Sequence, residues 1–333
     1  MRVTRDLLIN IAHEQAEKLA VKDRSIQCIY LVGSLLNGEE AFLGGVTDID
    51  LVCVHDRPVN RPREILRMNS EVHLDLGHYC VDTYTPPRGL RTNPWLGGTL
   101  DQGPLNLYDR FHWFDFTRAS ASALFWNTEN TIARARHFST GARQTWQKLM
   151  DENPQGLKRT QLYLDALRDT ANSLAIFSGT PLTTRRFILD LPERISRIDV
   201  PEFTGSFVSL FANESVDDAH LLKWREQWLA SFDSLKTNKE APVKFVPTRR
   251  SYYEKAVDVL STDHPAAALW IILTTWTEIA ALLPKTETLY REWQSFIRVL
   301  ELDSKGMTDR IHQLDGQLDL VETFIDQWQE QNS

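Results

Sequence analysis

The sequence predicts an α+β protein in which a small mixed-sheet domain precedes a larger all-α helical domain. Up to about residue 116, short apolar runs rich in Ile, Val, Tyr and Phe alternate with clusters of Gly, Pro, Asn and Asp, a pattern typical of strands and turns. From about residue 127 onward, apolar side chains recur at helical spacing. The length of 333 residues also fits two domains. We therefore expect domains at residues 1–127 and 128–333.

The first domain is expected to open with an amphipathic helix, because its apolar residues between positions 7 and 19 recur at helical spacing. Strands are expected at residues 26–32, 49–54, 72–79 and 111–116. A short helix over residues 61–68 would connect the second strand to the third. The Gly- and Pro-rich segment at residues 86–103 predicts a long irregular loop, and loops of that length often carry function.

The second domain is expected to be built from helices alone. Periodic apolar positions predict helices at residues 157–177, 185–198, 219–235, 252–260, 266–283, 289–300 and 311–328. Prolines stand between several of these segments, and proline cannot continue a helix. The region therefore predicts a helical domain without strands.

The composition restricts the compartment and the partners. Against 45 Asp and Glu there are 37 Lys and Arg, and the resulting net charge of −8 disfavours a broad nucleic-acid-binding surface. The three cysteines form no Cys-x-x-Cys pair, which argues against a disulfide framework or a zinc site. Polar residues interrupt the most apolar segment, residues 266–283, and the first twenty residues lack the apolar core of a signal peptide. We expect a cytoplasmic protein with no membrane partner.

One constellation of residues indicates chemistry. Gly33 and Ser34 follow the first predicted strand, where backbone N–H groups and a hydroxyl can bind a phosphate. Asp48 and Asp50 are two residues apart on the second strand, so both side chains lie on one face. Two carboxylates on one face repel each other unless a cation lies between them, and hard oxygen ligands favour Mg²⁺ or Mn²⁺.

A third carboxylate, Asp75, lies on the next predicted strand. If that strand is adjacent, Asp75 could ligate a metal or take a proton from an attacking hydroxyl. A simpler interpretation makes Asp-Ile-Asp the polar end of a strand and Gly33-Ser34 an unrelated turn. Asp-x-Asp pairs alone are common, but the joint pattern is rare by chance, so we favour the functional interpretation.

These residues resemble the signature of the DNA-polymerase-β-type nucleotidyltransferases, which combines an apolar-Gly-Gly/Ser element, Asp-apolar-Asp/Glu and a third apolar-flanked carboxylate. The resemblance implies transfer of a nucleoside monophosphate from an NTP, with ATP the first choice, to an acceptor hydroxyl, with release of pyrophosphate. According to this resemblance, Asp48 and Asp50 hold Mg²⁺ or Mn²⁺, and Gly33 and Ser34 bind the nucleotide phosphates. Asp75 would be a metal ligand or the general base.

The overall layout is similar to that of the aminoglycoside-type nucleotidyltransferases, whose helical domain closes one side of the cleft. Arg168 lies in a segment that looks like the first long helix of that domain, where a basic side chain often reaches the phosphates. A solvated helix face is the alternative for Arg168. The sequence also departs from the family pattern, because no basic residue occurs between Ser34 and Arg57. The cation that neutralises the phosphates must then come from elsewhere.

The sequence alone does not identify the acceptor. A carboxylate-rich site suits a cationic small molecule, which we favour; a protein hydroxyl or an RNA 3′ end are alternatives, and the net charge disfavours RNA. A second hypothesis makes the chain a nucleotide-binding regulatory protein, such as the antitoxin of a toxin–antitoxin pair, with the helical domain as its partner surface.

Glu71 and His73 share a predicted strand face with Asp75 and could touch a metal or acceptor, whereas His78 on the opposite face is expected to be structural.

Overall fold

The structure, a computed structural model, describes residues 4–36, 42–69, 72–213, 216–303 and 306–333. The chain divides into two compact units, Met1–Trp126 and Asn127–Ser333. The first unit contains a mixed sheet of five strands, and the second is helical, which confirms the predicted fold class. Within the described ranges, no helix combines the length and the apolar character needed to cross a bilayer.

The order of the strands in the sheet differs from their order in the sequence. Its members are β1 (Ile26–Val32), β2 (Thr47–His55), β3 (Arg63–Arg67), β4 (Val72–Cys80) and β5 (Leu105–Asp109). They lie in the order β3-β4-β2-β1-β5, with β2 and β4 parallel and the other neighbours antiparallel. Because β2 and β4 run in the same direction, their first halves lie side by side.

Both faces of the sheet are covered by apolar side chains. Helix α1 (Arg5–Lys22) contributes Leu8 and Ala12 to a core that also contains Ile49 and Leu51 of β2. The opposite face packs in a second core that includes Tyr30, Val52, Tyr84 and Phe114. Side chains alternate along a strand, so the side chains of β2 that neighbour Ile49 and Leu51 belong to the face opposite α1.

The helix predicted at residues 61–68 is wrong, because this segment contains β3. Residues of β3 pair antiparallel with β4, from Arg63 opposite Gly77 to Arg67 opposite His73. An isolated helix of this length would bear the full cost of nucleation. Pairing with β4 instead gives the backbone groups hydrogen-bond partners in the sheet.

The strand predicted at residues 111–116 is also wrong. The last strand ends earlier, at Asp109, and α3 (Trp113–Ser122) begins inside the predicted range. The Asp109 carboxylate accepts hydrogen bonds from the backbone N–H groups of Trp113 and Phe114 at 3.0 and 2.9 Å. It thereby satisfies N–H groups at the start of the helix. The aromatic residues of this segment favoured a strand by composition, but this side-chain cap decides its conformation.

The segment at residues 86–103 is more ordered than the predicted irregular loop. Pro87–Thr92 forms a 3₁₀-helix, and α2 (Leu96–Asp101) follows it. The Asn93 side chain accepts hydrogen bonds from the backbone N–H groups at the start of α2. A Cβ atom on Gly97 would lie 1.8 Å from the Leu90 carbonyl oxygen. The glycine here therefore permits a close approach of two backbones rather than marking an irregular loop.

The described part of the second unit contains nine α-helices. They are α4 (Thr128–Asp151), α5 (Leu157–Ala175), α6 (Phe187–Ser196), α7 (Glu202–Ser209), α8 (Asp218–Ser234), α9 (Arg250–Asp263), α10 (Pro265–Ala280), α11 (Thr288–Val299) and α12 (Gly306–Asn332). All seven predicted helices are present within a few residues. The sequence did not predict α4 or α7 individually. The apolar periodicity of α4 is diluted by Thr, Arg and Gln.

A chain of polar side chains links the end of α1 to the ends of β2 and β4. Ser25 donates a hydrogen bond to Asp23 Oδ1 at 2.7 Å, and its Oγ lies 2.9 Å from His55 Nδ1. His55 Nε2 lies 2.9 Å from His78 Nδ1. Because the Ser25 proton goes to Asp23, His55 donates from Nδ1 and accepts at Nε2 from His78. His78, predicted to be structural, therefore belongs to a network that requires a neutral His55 imidazole.

We expect the protein to lose stability as the pH falls below about 6.5. Burial lowers the pKa of both His55 and His78, and in His55 the neighbouring imidazole lowers the pKa further. As the pH falls, the unfolded chain, in which both imidazoles titrate near 6.5, therefore takes up protons at a higher pH than the folded protein does. The stabilisation is complete above that pH and is lost towards lower pH.

Urea unfolding at about pH 7.5 and about pH 5.5 measures this loss. The variant His78→Gln should narrow the difference in unfolding free energy between the two pH values. His312→Gln, at an exposed histidine of α12, is the matched control. An unchanged difference in folded His78→Gln would contradict the role given to this imidazole pair.

Candidate functional site

Three carboxylates converge on the sheet face opposite α1. Asp50 of β2 lies directly opposite Asp75 of the parallel strand β4, and Asp48 precedes Asp50 by two residues on the same face. One oxygen from each of the three side chains lies within 4.8 Å of the others. Asp48 and Asp75 are only 4% and 5% exposed, while Asp50 is half-buried. The strand bearing Asp75 is therefore adjacent to β2, which meets the condition on which the sequence made the role of Asp75 depend.

The cluster of Asp48, Asp50 and Asp75, called the carboxylate cluster below, could bind a divalent metal ion. Its oxygens are the hard ligands that Mg²⁺ and Mn²⁺ prefer. Their mutual repulsion is large at this burial, because charges interact more strongly where water is excluded. A bound cation would offset that repulsion. The composition and spacing of the donor set therefore fit the predicted metal.

Gly33 connects the end of β1 to the carboxylate cluster. Its φ of +81° lies in the region that favours glycine. A Cβ atom at this position would lie 2.2 Å from Asp50 Oδ2. Ser34 follows in a 3₁₀ turn, and its hydroxyl lies 3.3 Å from the hydroxyl of Thr47, the first residue of β2. The predicted Gly-Ser element and the predicted Asp pair therefore lie together.

We expect Gly33→Ala to destabilise the protein by about 1–2 kcal/mol, the cost of a positive φ in alanine. We also expect loss of Mn²⁺ binding, because the new methyl group displaces the Asp50 carboxylate. Gly45→Ala is a matched control, since Gly45 has a φ of +71° but no atom within 4 Å of the added Cβ. Urea unfolding and Mn²⁺ titration by calorimetry separate strain from displacement. Equal Mn²⁺ affinity in the two variants would refute the displacement argument.

Arg63 is a component of the site that the sequence did not predict. Its Nε donates to Asp75 Oδ1 at 2.8 Å, and its Nη2 donates to Oδ2 at 2.6 Å. Such a two-pronged ion pair fixes the carboxylate in one plane. The Arg63 side chain is half exposed, whereas that of Asp75 is buried. Because the Arg63 guanidinium reaches water, it can leave Asp75 and become solvated, so Arg63 can compete reversibly with a metal ion for Asp75.

Glu71 and His73 were two further candidates from the sequence. His73 is buried opposite Asp48, with its Nδ1 3.7 Å from Asp48 Oδ1. It therefore borders the carboxylate cluster, as its strand position predicted. Glu71 lies outside the described residues.

Arg5 contacts the turn that follows Gly33. Its Nε donates a hydrogen bond to the Leu35 carbonyl oxygen at 2.7 Å. No carboxylate of the described residues forms an ion pair with Arg5. Arg5 and Leu35 are 30 residues apart in the sequence, so no local pattern could have predicted this contact. Arg5 places a positive charge beside the Gly-Ser turn. The segment between Ser34 and Arg57 contains no Lys or Arg that could supply this charge.

Arg168, the remaining predicted nucleotide-binding residue, belongs to the second unit. It lies on α5 in the wall of a cavity of about 350 Å³, together with Phe187, Trp270 and other residues of that unit. Its guanidinium lies 2.9 Å from Asp165 and 3.4 Å from Asp169. Within its own unit, Arg168 is thus an ion-paired residue of a cavity wall, and the carboxylate cluster belongs to the first unit.

The sequence of the chain matches no protein-family model, and no curated protein is significantly similar to it. What defines the site is therefore its own geometry: three carboxylates on neighbouring parallel strands, beside a positive-φ glycine and a serine. Such a site combines oxygen ligands for a cation with backbone and hydroxyl donors for an anion.

Proposed function

We propose that the chain is a metal-dependent nucleotidyltransferase, which moves a nucleoside monophosphate from an NTP to an acceptor hydroxyl and releases pyrophosphate. The observation that carries this proposal is the carboxylate cluster, whose oxygens lie within 4.8 Å of one another next to Gly33. The motif resemblance to DNA-polymerase-β-type nucleotidyltransferases supports it. ATP is the first choice of nucleotide, and Mg²⁺ or Mn²⁺ the metal.

Asp48 and Asp50 would hold the metal, with Asp75 either as a third ligand or as the base that receives the acceptor proton. The metal, when bound, would neutralise charge on the nucleotide phosphates. The backbone N–H groups at Gly33 and Ser34 and the Ser34 hydroxyl would donate hydrogen bonds to phosphate oxygens. Arg5 would add the positive charge that other members of the superfamily carry after the Gly-Ser element. Together these groups would fix the α-phosphorus in line with the acceptor oxygen.

In the proposed reaction, the acceptor oxygen forms a bond to the α-phosphorus. The bond from this phosphorus to the oxygen that bridges to the β-phosphate breaks, and pyrophosphate leaves with that electron pair. The acceptor proton passes to a carboxylate, for which Asp75 is the first candidate. Arg63 bonds both Asp75 oxygens, and each of these oxygens keeps a second lone pair that can receive the proton.

The proposed acceptor is a cationic small molecule. Clustered carboxylates create a negative potential, which attracts amines. The net charge of −8 disfavours RNA as a partner.

Incubation of the full chain with Mn²⁺ and either α- or γ-³²P-labelled ATP, over a panel of aminated and neutral hydroxyl acceptors, tests the proposal. Label from the α position should appear on an acceptor, and label from the γ position should appear only in pyrophosphate. Asp50→Asn, purified identically, controls for contaminating activities. Transfer of γ label to the acceptor, or no transfer of α label under conditions where ATP binds, contradicts the proposal.

The Arg63–Asp75 ion pair favours a second candidate function. With both oxygens of Asp75 bonded by Arg63, the site could bind metal and nucleotide without supplying a base for the acceptor. A nucleotide-binding regulatory protein, antitoxin-like on the same fold, would need no more than that. Metal-dependent ATP binding without transfer of α label to any acceptor would support this second candidate.

A further inference from the structure

The N-terminus of α5 opens on a cavity of about 240 Å³ within the second unit, apart from the carboxylate cluster. Gly156 precedes the helix and supplies no capping side chain. A Cβ atom added to Gly156 would meet no atom within 4 Å, so the space before the helix is open. The first N–H groups of a helix lack carbonyl partners within it and carry partial positive charge. This end of α5 is thus a place where an anion is favoured.

Arg159, in the first turn of α5, lines the same cavity and is 7% exposed. Its Nη2 donates to the Thr308 hydroxyl at 3.3 Å, and its buried Nε bonds no described residue. Among the described residues, no carboxylate lies within ion-pair distance of Arg159. Burial lowers the pKa of this guanidinium, with no carboxylate acting against the shift. A buried cation without a counter-ion is costly, and structural arginines are normally paired.

The remaining walls combine one further charge pair with apolar surface. Arg298 lies at the cavity, with its Nε 3.6 Å from the carboxylate of Asp303, which also lines the cavity. Among the described residues of the lining, the two arginines and the carboxylate therefore sum to one positive charge, to which the helix end adds. Trp293, Ile297 and Leu302 provide the apolar part of the lining. The cavity thus has a cationic end and an apolar wall.

We propose that this cavity binds a small phosphomonoester, with its phosphate held by the N-terminus of α5 and Arg159 and its organic part against the apolar wall. Phosphate suits the site because it accepts several hydrogen bonds at once, from backbone N–H groups and from a guanidinium. The volume limits the ligand to one smaller than a typical drug-sized molecule. This site adds a second binding function that does not depend on the proposed nucleotidyl transfer.

Calorimetry and thermal unfolding of the full chain with phenyl phosphate, inorganic phosphate and benzoate test the proposal, all in excess EDTA at matched ionic strength. EDTA removes any binding that needs the carboxylate cluster to hold metal. Phenyl phosphate should bind most tightly and raise the melting temperature. Inorganic phosphate lacks the apolar part and benzoate has fewer oxygens and less charge, so both should bind more weakly. Benzoate binding as tightly as phenyl phosphate overturns the assignment to phosphate.

Arg159→Met should weaken phenyl phosphate binding on the order of tenfold or more, since a hydrogen-bonded charge is lost. Without ligand, the same variant should melt at or above the wild-type temperature, because a buried uncompensated cation is removed. A purely structural arginine would give the opposite result. Arg197→Met is the control, at an exposed arginine that directly follows α6 and pairs with Glu193. Unchanged affinity in Arg159→Met, or a lower melting temperature without ligand, overturns the proposal.

Arg298→Glu keeps the proposal testable if Arg159→Met does not fold. Its side chain is 74% exposed, so the substitution should not disturb packing. It reverses the charge at the cavity and should abolish phenyl phosphate binding. Wild-type affinity in folded Arg298→Glu, measured by the same calorimetry, overturns the proposal by itself.

Discussion

Replacing Asp48 or Asp50 by Asn is expected to abolish Mn²⁺-dependent nucleotide binding and, at the same time, to stabilise the metal-free protein. In the absence of metal, these carboxylates and Asp75 repel one another across less than 4.8 Å between their nearest oxygens. Relief of one such repulsion should be worth roughly 1 kcal/mol or more at the dielectric of a partly buried site. Asn keeps the shape of the side chain and removes its charge, so the fold should be retained.

The metal affinity should fall on the order of 100-fold or more, since even loss of a group that only supports a ligand costs roughly 10–100-fold. Thermal unfolding with Mn²⁺ or with EDTA measures both effects, and calorimetry with ATP measures nucleotide binding. Asp56→Asn, at an exposed carboxylate just after β2, is the matched control. Equal ATP affinity in Mn²⁺ and in excess EDTA would show that the carboxylates do not act through a cation.

Local periodicity explains why part of the site could be predicted from sequence. Asp48 and Asp50 share a face because side chains alternate along any strand, whatever its neighbours. The positive φ of Gly33 is likewise a local property that glycine permits. The convergence of Asp75 depended on strand order, so the sequence could state it only as a condition.

These patterns could not predict contacts that depend on strand pairing or on a single side-chain cap. Arg63 was assigned to a helix, and its contact with Asp75 exists only because β3 pairs with β4. The five residues of β3, Arg-Glu-Ile-Leu-Arg, alternate neither in polarity nor in burial, so they carried no strand signal. Likewise, α3 begins where it does because of a single side-chain cap from Asp109. The sequence did not predict that Arg159 is buried, because arginine side chains are mostly exposed in proteins.

Asp75→Asn is expected to separate catalysis from binding. If Asp75 takes the acceptor proton, this variant should bind Mn²⁺ and ATP nearly as the wild type does, yet transfer the nucleotide roughly 10²–10⁴-fold more slowly. If Asp75 mainly holds the metal, binding and transfer should fall together. Calorimetry and the labelled transfer assay distinguish these results. Wild-type transfer by Asp75→Asn would exclude both roles, leaving His73 and Glu71 as the next candidates.

Arg63→Gln shows which partner Asp75 has during turnover. Gln removes the charge that now bonds both Asp75 oxygens, so the metal-free protein should lose stability while Mn²⁺ binds more tightly. Arg61→Gln is the control, at an exposed arginine two residues away whose ion pair is with Glu64. If Arg63 only competes with the metal, transfer should persist at saturating Mn²⁺. If Arg63 instead orients Asp75 towards the acceptor, transfer should fall even when metal and ATP are fully bound, and the double variant with Asp75→Asn should be no slower than Asp75→Asn alone.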